Sequence, residues 1–284
     1  MLSENLTIRL SRQALCFARY DSGHPSAFAF STFRLNPMYS LAANLHEAAR
    51  TEPLMQAEVR GDVQVLVESP VTYVPLAEFQ EEEAEQLYAL CHPSETRRRV
   101  FYDIVTPANC VVLFSLEEVV CHTLEEQFPH VHYVSTLTPV LRHFAGKGAE
   151  PGRGVRIFVY QCEQALHVVA FEDTRLLVAN SFETESAADT VFYTLSVAQQ
   201  LGAPLVPTET DSLGISAESK TCADDFTPLY VAADDAVRNE LCEALREYAV
   251  NVRPVSSSAE YNRHKVATTK GVPYDVVTFL LGNG

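Results

Sequence analysis

Val155-Arg-Ile-Phe-Val-Tyr160, Gln161-Cys-Glu-Gln164, Ala165-Leu-His-Val-Val-Ala-Phe171, Glu172-Asp173 and Arg175-Leu-Leu-Val-Ala179 follow in order along the chain. The apolar runs have the length of strands and the polar breaks the length of turns, so the stretch reads as three short strands. A helix follows from about Glu185, with Ala188, Val191, Phe192, Leu195 and Ala198 expected on its inward face and Gly202 as its stop. The same order opens the chain: a strand at 6–10, a turn at Ser11-Arg12-Gln13, a strand at 14–20, a longer turn, a strand at 27–35, and a helix near Leu41 that Ser40 can cap. This repeated β-β-β-α order decides the fold and by itself says little about activity.

Outward from these two stretches the pattern continues. Val63-Gln-Val-Leu-Val67 is a near-continuous apolar strand, as in a sheet interior. The spacing predicts a helix from about Ala77 to Cys91 and a hairpin at 100–105 and 111–114. Ser115-Leu-Glu-Glu118 matches a capping box ahead of a further helix. A strand at 130–134 and a helix at 138–144 follow. Gly146, Gly148, Gly152 and Gly154 then crowd one short segment, which reads as a linker. The expected organisation is therefore a first half at 1–145, a Gly-rich linker at 146–154 and a second half at 155–284. Within the second half, 208–225 is a polar excursion, a strand at 227–232 precedes a helix capped by Asp234 or Asp235, and Val276 to Leu281 is a last apolar segment.

Composition bounds the function. A chain of 284 residues is long enough for two domains. Lys and Arg number 21 against 37 Asp and Glu, a net charge of -16, which repels nucleic-acid backbones and anionic membranes alike. No apolar run is long enough to span a bilayer, and the opening residues carry no basic, apolar leader. Seven scattered cysteines, none in a C-x-x-C pair, read as reduced thiols of a cytoplasmic protein.

Two β-β-β-α-β-α halves in tandem resemble the actin-like ATPase superfamily, whose halves are ribonuclease H-like. The opening hairpin, Tyr73-Val-Pro75, Asn180-Ser-Phe-Glu183, Asp189 and the Phe192-Tyr193 pair are similar to an uncharacterised bacterial family of that fold. Gln13-Ala14-Leu15 and Gln164-Ala165-Leu166 echo one another at the same place in each half. The resemblance implies an α/β fold of duplicated halves. It implies no activity, since that family has none established.

An actin-like ATPase cradles phosphates on glycine-rich turns, because glycine alone lets backbone N–H groups approach so closely. Here the corresponding turns are Ser11 to Gln13 and Gln161 to Gln164, without glycine or aspartate, and Glu163 adds a negative charge. No cofactor is expected on that reading. A ribonuclease H-like nuclease needs Mg²⁺-binding carboxylates on its first strand, and neither 6–10 nor 155–160 supplies one. Asp103, inside an apolar strand, reads as outward-facing on alternation with Tyr102 and Ile104. Cys121, His122, His130 and His132 read as a buried thiol and structural histidines and not as a metal site. Lys147 lies in a segment that lacks the P-loop spacing. Arg97-Arg98-Arg99 is the one basic run of three and reads as a solvated face. The expectation is a non-catalytic binding or assembly module that has a protein partner and no catalytic or metal site. The alternative is a degenerate ATPase or sugar-kinase-like phosphotransferase.

Overall fold

The computed structural model describes residues 5–21, 23–24, 27–59, 61–95, 97–149, 154–207 and 223–282. Strand β1 (Leu6–Leu10) pairs antiparallel with β2 (Ala14–Arg19), which pairs antiparallel with β3 (Ala29–Arg34). Helices α1 (Leu41–Thr51) and α2 (Pro53–Gln56) return the chain to β4 (Val63–Val67), parallel to β1. An excursion follows: β5 (Thr72–Pro75), α3 (Ala84–Cys91), β6 (Arg98–Val105), β7 (Cys110–Glu117) and α4 (Glu118–Gln127). Then β8 (Val131–Ser135) joins β4 in parallel, and α5 (Leu137–Gly146) follows. The sheet order is β3-β2-β1-β4-β8, and the excursion builds a separate sheet, β5-β7-β6.

The second pass uses β9 (Val155–Cys162), β10 (Ala165–Glu172), β11 (Arg175–Glu183), α6 (Ala187–Gln200), β12 (Leu229–Ala232), α7 (Asp235–Arg246), β13 (Val252–Val255) and α8 (Ser257–Glu260). Its sheet order, β11-β10-β9-β12-β13, is that of the first sheet position for position. Two antiparallel pairs precede two parallel ones in both. Short α9 (Lys265–Thr268) and α10 (Tyr274–Leu281) end the fold. The chain divides into two compact units, Met1–His143 with Arg263–Gly284, and Phe144–Asn262.

The fold is thus the tandem ribonuclease H-like arrangement, with local departures that have physical causes. β1 is buried along its whole length although its residues alternate apolar and polar, because Arg9 has carboxylate partners inside. The region before α3 forms two 3₁₀ turns, Leu76–Glu78 and Glu81–Glu83, so the helix itself starts only at Ala84. Ser115 caps nothing: it is fully buried within β7, which runs on to Glu117. The capping box lies instead at Ser186 and Asp189, opening α6. On α6 the buried face is Thr190, Val191, Thr194, Val197 and Ala198, while Phe192 is 65% exposed and stacks edgewise on Tyr193. On α7 Asp234 stands at the N-cap without a side-chain cap bond, Arg238, Leu241, Cys242 and Leu245 are buried, and Val237 is exposed. The last apolar segment is a helix. Most of the polar excursion, 208–222, and residues 150–153 of the Gly-rich segment lie outside the described residues.

Two buried arginines gather backbone carbonyls. In the first unit, Arg19 donates to the carbonyls of Leu54, Ala57 and Glu58 at 2.9, 2.7 and 3.1 Å, where α2 ends. In the second, Arg156 donates to the carbonyls of Phe144, Lys147 and Asp173 and lies over the rings of Phe158 and Phe171. Helix-terminal carbonyls carry partial negative charge, and a planar guanidinium with five donors collects several of them. Burial lowers the pKa of both side chains from the ordinary arginine value.

Candidate functional site

The two turns that would hold phosphate are each closed by the chain itself. In the first, Ser11 N–H donates to the Ala14 carbonyl at 3.1 Å, Ser11 Oγ donates to the same carbonyl at 2.9 Å, and Ala14 N–H donates to Ser11 Oγ at 3.2 Å. Leu35 N–H takes the Gln13 carbonyl at 3.0 Å. In the second, β9 extends through Cys162, so the turn is only Glu163 and Gln164, shorter than the 161–164 expected from the sequence. Glu163 adopts a left-handed φ of 53°. Gln161 is buried, and its amide donates to the Glu163 carbonyl and to Thr184 Oγ1, both at 2.9 Å, while Thr190 Oγ1 donates to Gln161 Oε1 at 2.9 Å. That network accounts for Thr190 on the inward face of α6.

Beside the first turn, within the first unit, lies a cleft of about 780 Å³. It opens past the carboxyl ends of β1 and β4, the usual location of ligand crevices in open α/β sheets. Leu10, Leu35, Leu41 and Leu116 give it an apolar lining. Its charged lining is balanced, Arg12, Arg34 and Arg98 against Glu68, Glu95 and Glu117, on a chain that is otherwise strongly acidic. Glu68 Oε2 accepts from the buried Arg9 at 3.0 Å, and Arg9 Nε also donates to Asp275 of α10 at 2.9 Å. Arg98 pairs with Glu95 at 2.7 Å and donates to Ser115 Oγ at 2.7 Å. The Ser115 hydroxyl also lies 2.9 Å from the Tyr88 hydroxyl, whose pKa burial raises. The loop from Asn36 to Ser40 forms one rim. Buried Asn44 holds it: Oδ1 accepts from Asn36 N–H at 2.7 Å, and Nδ2 donates to the carbonyls of Asn36, Tyr39 and Ser40 at 3.1, 3.2 and 3.0 Å. That loop presents Met38 at 85% and Tyr39 at 59% exposure.

The residues singled out from the sequence fall elsewhere or into structural roles. Asp103 does not face outward: it accepts from Ser135 N–H at 2.8 Å and Thr138 Oγ1 at 2.5 Å, so it anchors the start of α5. Ile104 takes the exposed side of β6 instead. Burial raises the Asp103 carboxyl pKa, and the two donated bonds oppose that rise. Cys121 is buried, whereas His122, His130 and His132 are exposed, and His132 lies 3.5 Å from Asp62. No group of three His, Cys, Asp or Glu residues among the described residues is arranged to hold a metal. Lys147 pairs with Glu260 at 2.7 Å and lies over the Tyr230 ring. The Arg97–Arg99 run is not a solvated face throughout: Arg98 is tied into the cleft wall and Arg99 pairs with Glu125 and lies over Phe101. The cleft itself was not read from the sequence, because its walls come from segments far apart in the chain.

Fold and site together define an actin-like ATPase-fold protein. A protein of unknown function with that fold from Bacteroides thetaiotaomicron is 24% identical, with a TM-score of 0.71 over 88% of this chain and 90% of that one. The PilM-PilN type IV pilus biogenesis complex contains a chain 13% identical, with a TM-score of 0.50 over 99% of this chain and 98% of that one. Residues 2–230 match the family described as protein of unknown function (DUF3822). The chain belongs to that family. No curated protein matches it significantly.

Proposed function

We propose that this chain is a non-catalytic binding or assembly module on the actin-like ATPase fold, acting through a protein partner in the cytoplasm. One observation carries the reading: the first turn at a phosphate-cradling position spends the Ser11 and Ala14 N–H groups on the chain's own atoms, and the second is a two-residue turn braced by the Gln161 side chain. A cradle needs successive backbone N–H groups aimed at the ligand. Here Ser11 and Ala14 turn theirs inward, and Glu163 adds charge of the wrong sign. The two-half organisation, with 146–154 as the joining segment, is part of this proposal. Among the described residues no cysteine forms a disulfide. No helix among the described residues is long and apolar enough to cross a membrane.

Isothermal titration with Mg²⁺-ATP, ADP and AMP at low-millimolar ligand tests the reading. Flat titrations are expected. A saturable heat overturns it and moves the function to the alternative, a degenerate nucleotide-binding ATPase or sugar-kinase-like phosphotransferase.

A further inference from the structure

We propose that the first-unit cleft and its Met38–Tyr39 rim dock an extended segment of a partner protein, one with an apolar anchor side chain and a nearby acidic residue. The inference rests on the binding-module reading and names where and what that module binds. Three observations converge. First, the cleft offers an apolar lining at Leu10, Leu35, Leu41 and Leu116, of a size that takes one or two large side chains. Second, Arg34 lines it at the end of β3, exposed and with no ion-pair partner among the described residues. Arg98 is neutralised by Glu95 and Glu68 by Arg9, so Arg34 offers charge to a ligand where those two do not. Third, Met38 and Tyr39 stand in solvent on a loop that Asn44 ties at four points.

The third observation favours a macromolecule over a metabolite. A small molecule held in the cleft would leave Met38 outside it, since Met38 is exposed and does not line the cleft. Met, Tyr and Arg are the residue types enriched at interface centres, and exposed apolar side chains fixed in place bind with little ordering cost. A carboxylate on the incoming segment matches Arg34, and the balanced charge of the lining spares it the repulsion of the wider acidic surface.

The test selects short random peptides displayed against the full chain. The expected consensus pairs an aromatic or aliphatic anchor with an acidic residue. Selection on Arg34→Glu is expected to exchange that acidic residue for a basic one. Tyr39→Ala is expected to weaken the selected peptide by about tenfold or more while leaving the thermal midpoint unchanged, because both side chains are exposed. Absence of a consensus, or one that both variants bind unchanged, overturns the proposal. So does self-association of the chain that Tyr39→Ala abolishes, which would make a second copy the occupant. A nucleotide heat would sink the non-catalytic reading and leave the peptide result standing on its own.

Discussion

His167 shows how one side chain ties this fold to pH. It is buried on β10, its Nδ1 lies 2.8 Å from Ser181 Oγ, and its ring stacks on Tyr160. Burial holds the imidazole neutral and lowers its pKa to about 4. The unfolded chain takes up that proton first, near the ordinary histidine value of about 6.5. Its contribution to stability is therefore complete above that value and is lost as pH falls toward 4, by on the order of 3 kcal/mol at most. His167→Gln is expected to flatten the dependence of the thermal midpoint between those two values. An unchanged slope would place the titration elsewhere. Asp103 is the second case, as the anchor of α5. Asp103→Ala is expected to cost about 1–2 kcal/mol in chemical denaturation, by removing two accepted bonds at a helix start. Gly148 is the third, with a φ of +63° and Tyr230 OH 2.6 Å from where a Cβ would stand. Gly148→Ala is expected to destabilise by more than about 1 kcal/mol, read as a lower denaturation midpoint.

Elements were legible where burial follows period alone. The two hairpins of β1–β2 and β9–β10 announce themselves through strand-length runs rich in apolar residues, alternating with polar ones in β1, and the turn residues between them break the runs cleanly. Periodicity misplaced α6 because a helix face can be buried for its hydroxyls: Thr190 faces inward to serve Gln161, and Phe192 yields its place. Ser115 misled for the opposite reason. A serine three residues before a glutamate satisfies the capping signature, yet β7 keeps its ladder with β6 through Glu117. The cleft stayed hidden because no local pattern brings Ser11, Arg34, Ser69 and Arg98 together; only the sheet order does. The rim is itself an element held by one side chain. Asn44→Ala is expected to cost about 1–3 kcal/mol, by leaving buried donors and acceptors unpaired. It should also raise hydrogen exchange across 36–40 with little change in β1. Exchange that stays slow there would mean Asn44 is not what holds the loop.

At the scale of the molecule, the same strand order is built twice, and the first sheet carries a buried ion pair to a helix far along the chain. Arg9 on β1 and Asp275 on α10 are separated by 266 positions and are both inside the first unit. Removing Asp275 leaves Arg9 with Glu68 as its carboxylate partner, so Asp275→Ala is expected to cost about 1.5–3 kcal/mol, the worth of a hydrogen bond to a charged group. Replacing both by apolar residues, Arg9→Met with Asp275→Leu, should cost less, because the fully buried positions then hold no charge and Glu68, which loses Arg9, lines the open cleft. A double variant as unstable as the single one would show that the packing of α10, not the pair, is what matters. The same pair fixes an order of events during synthesis. At about 5–20 residues per second, β1 leaves the ribosome on the order of 15–50 s before Asp275, the later of the two carboxylates that Arg9 pairs with. The unit begun first is thus the unit finished last, and the second unit can complete its sheet while Arg9 is still waiting.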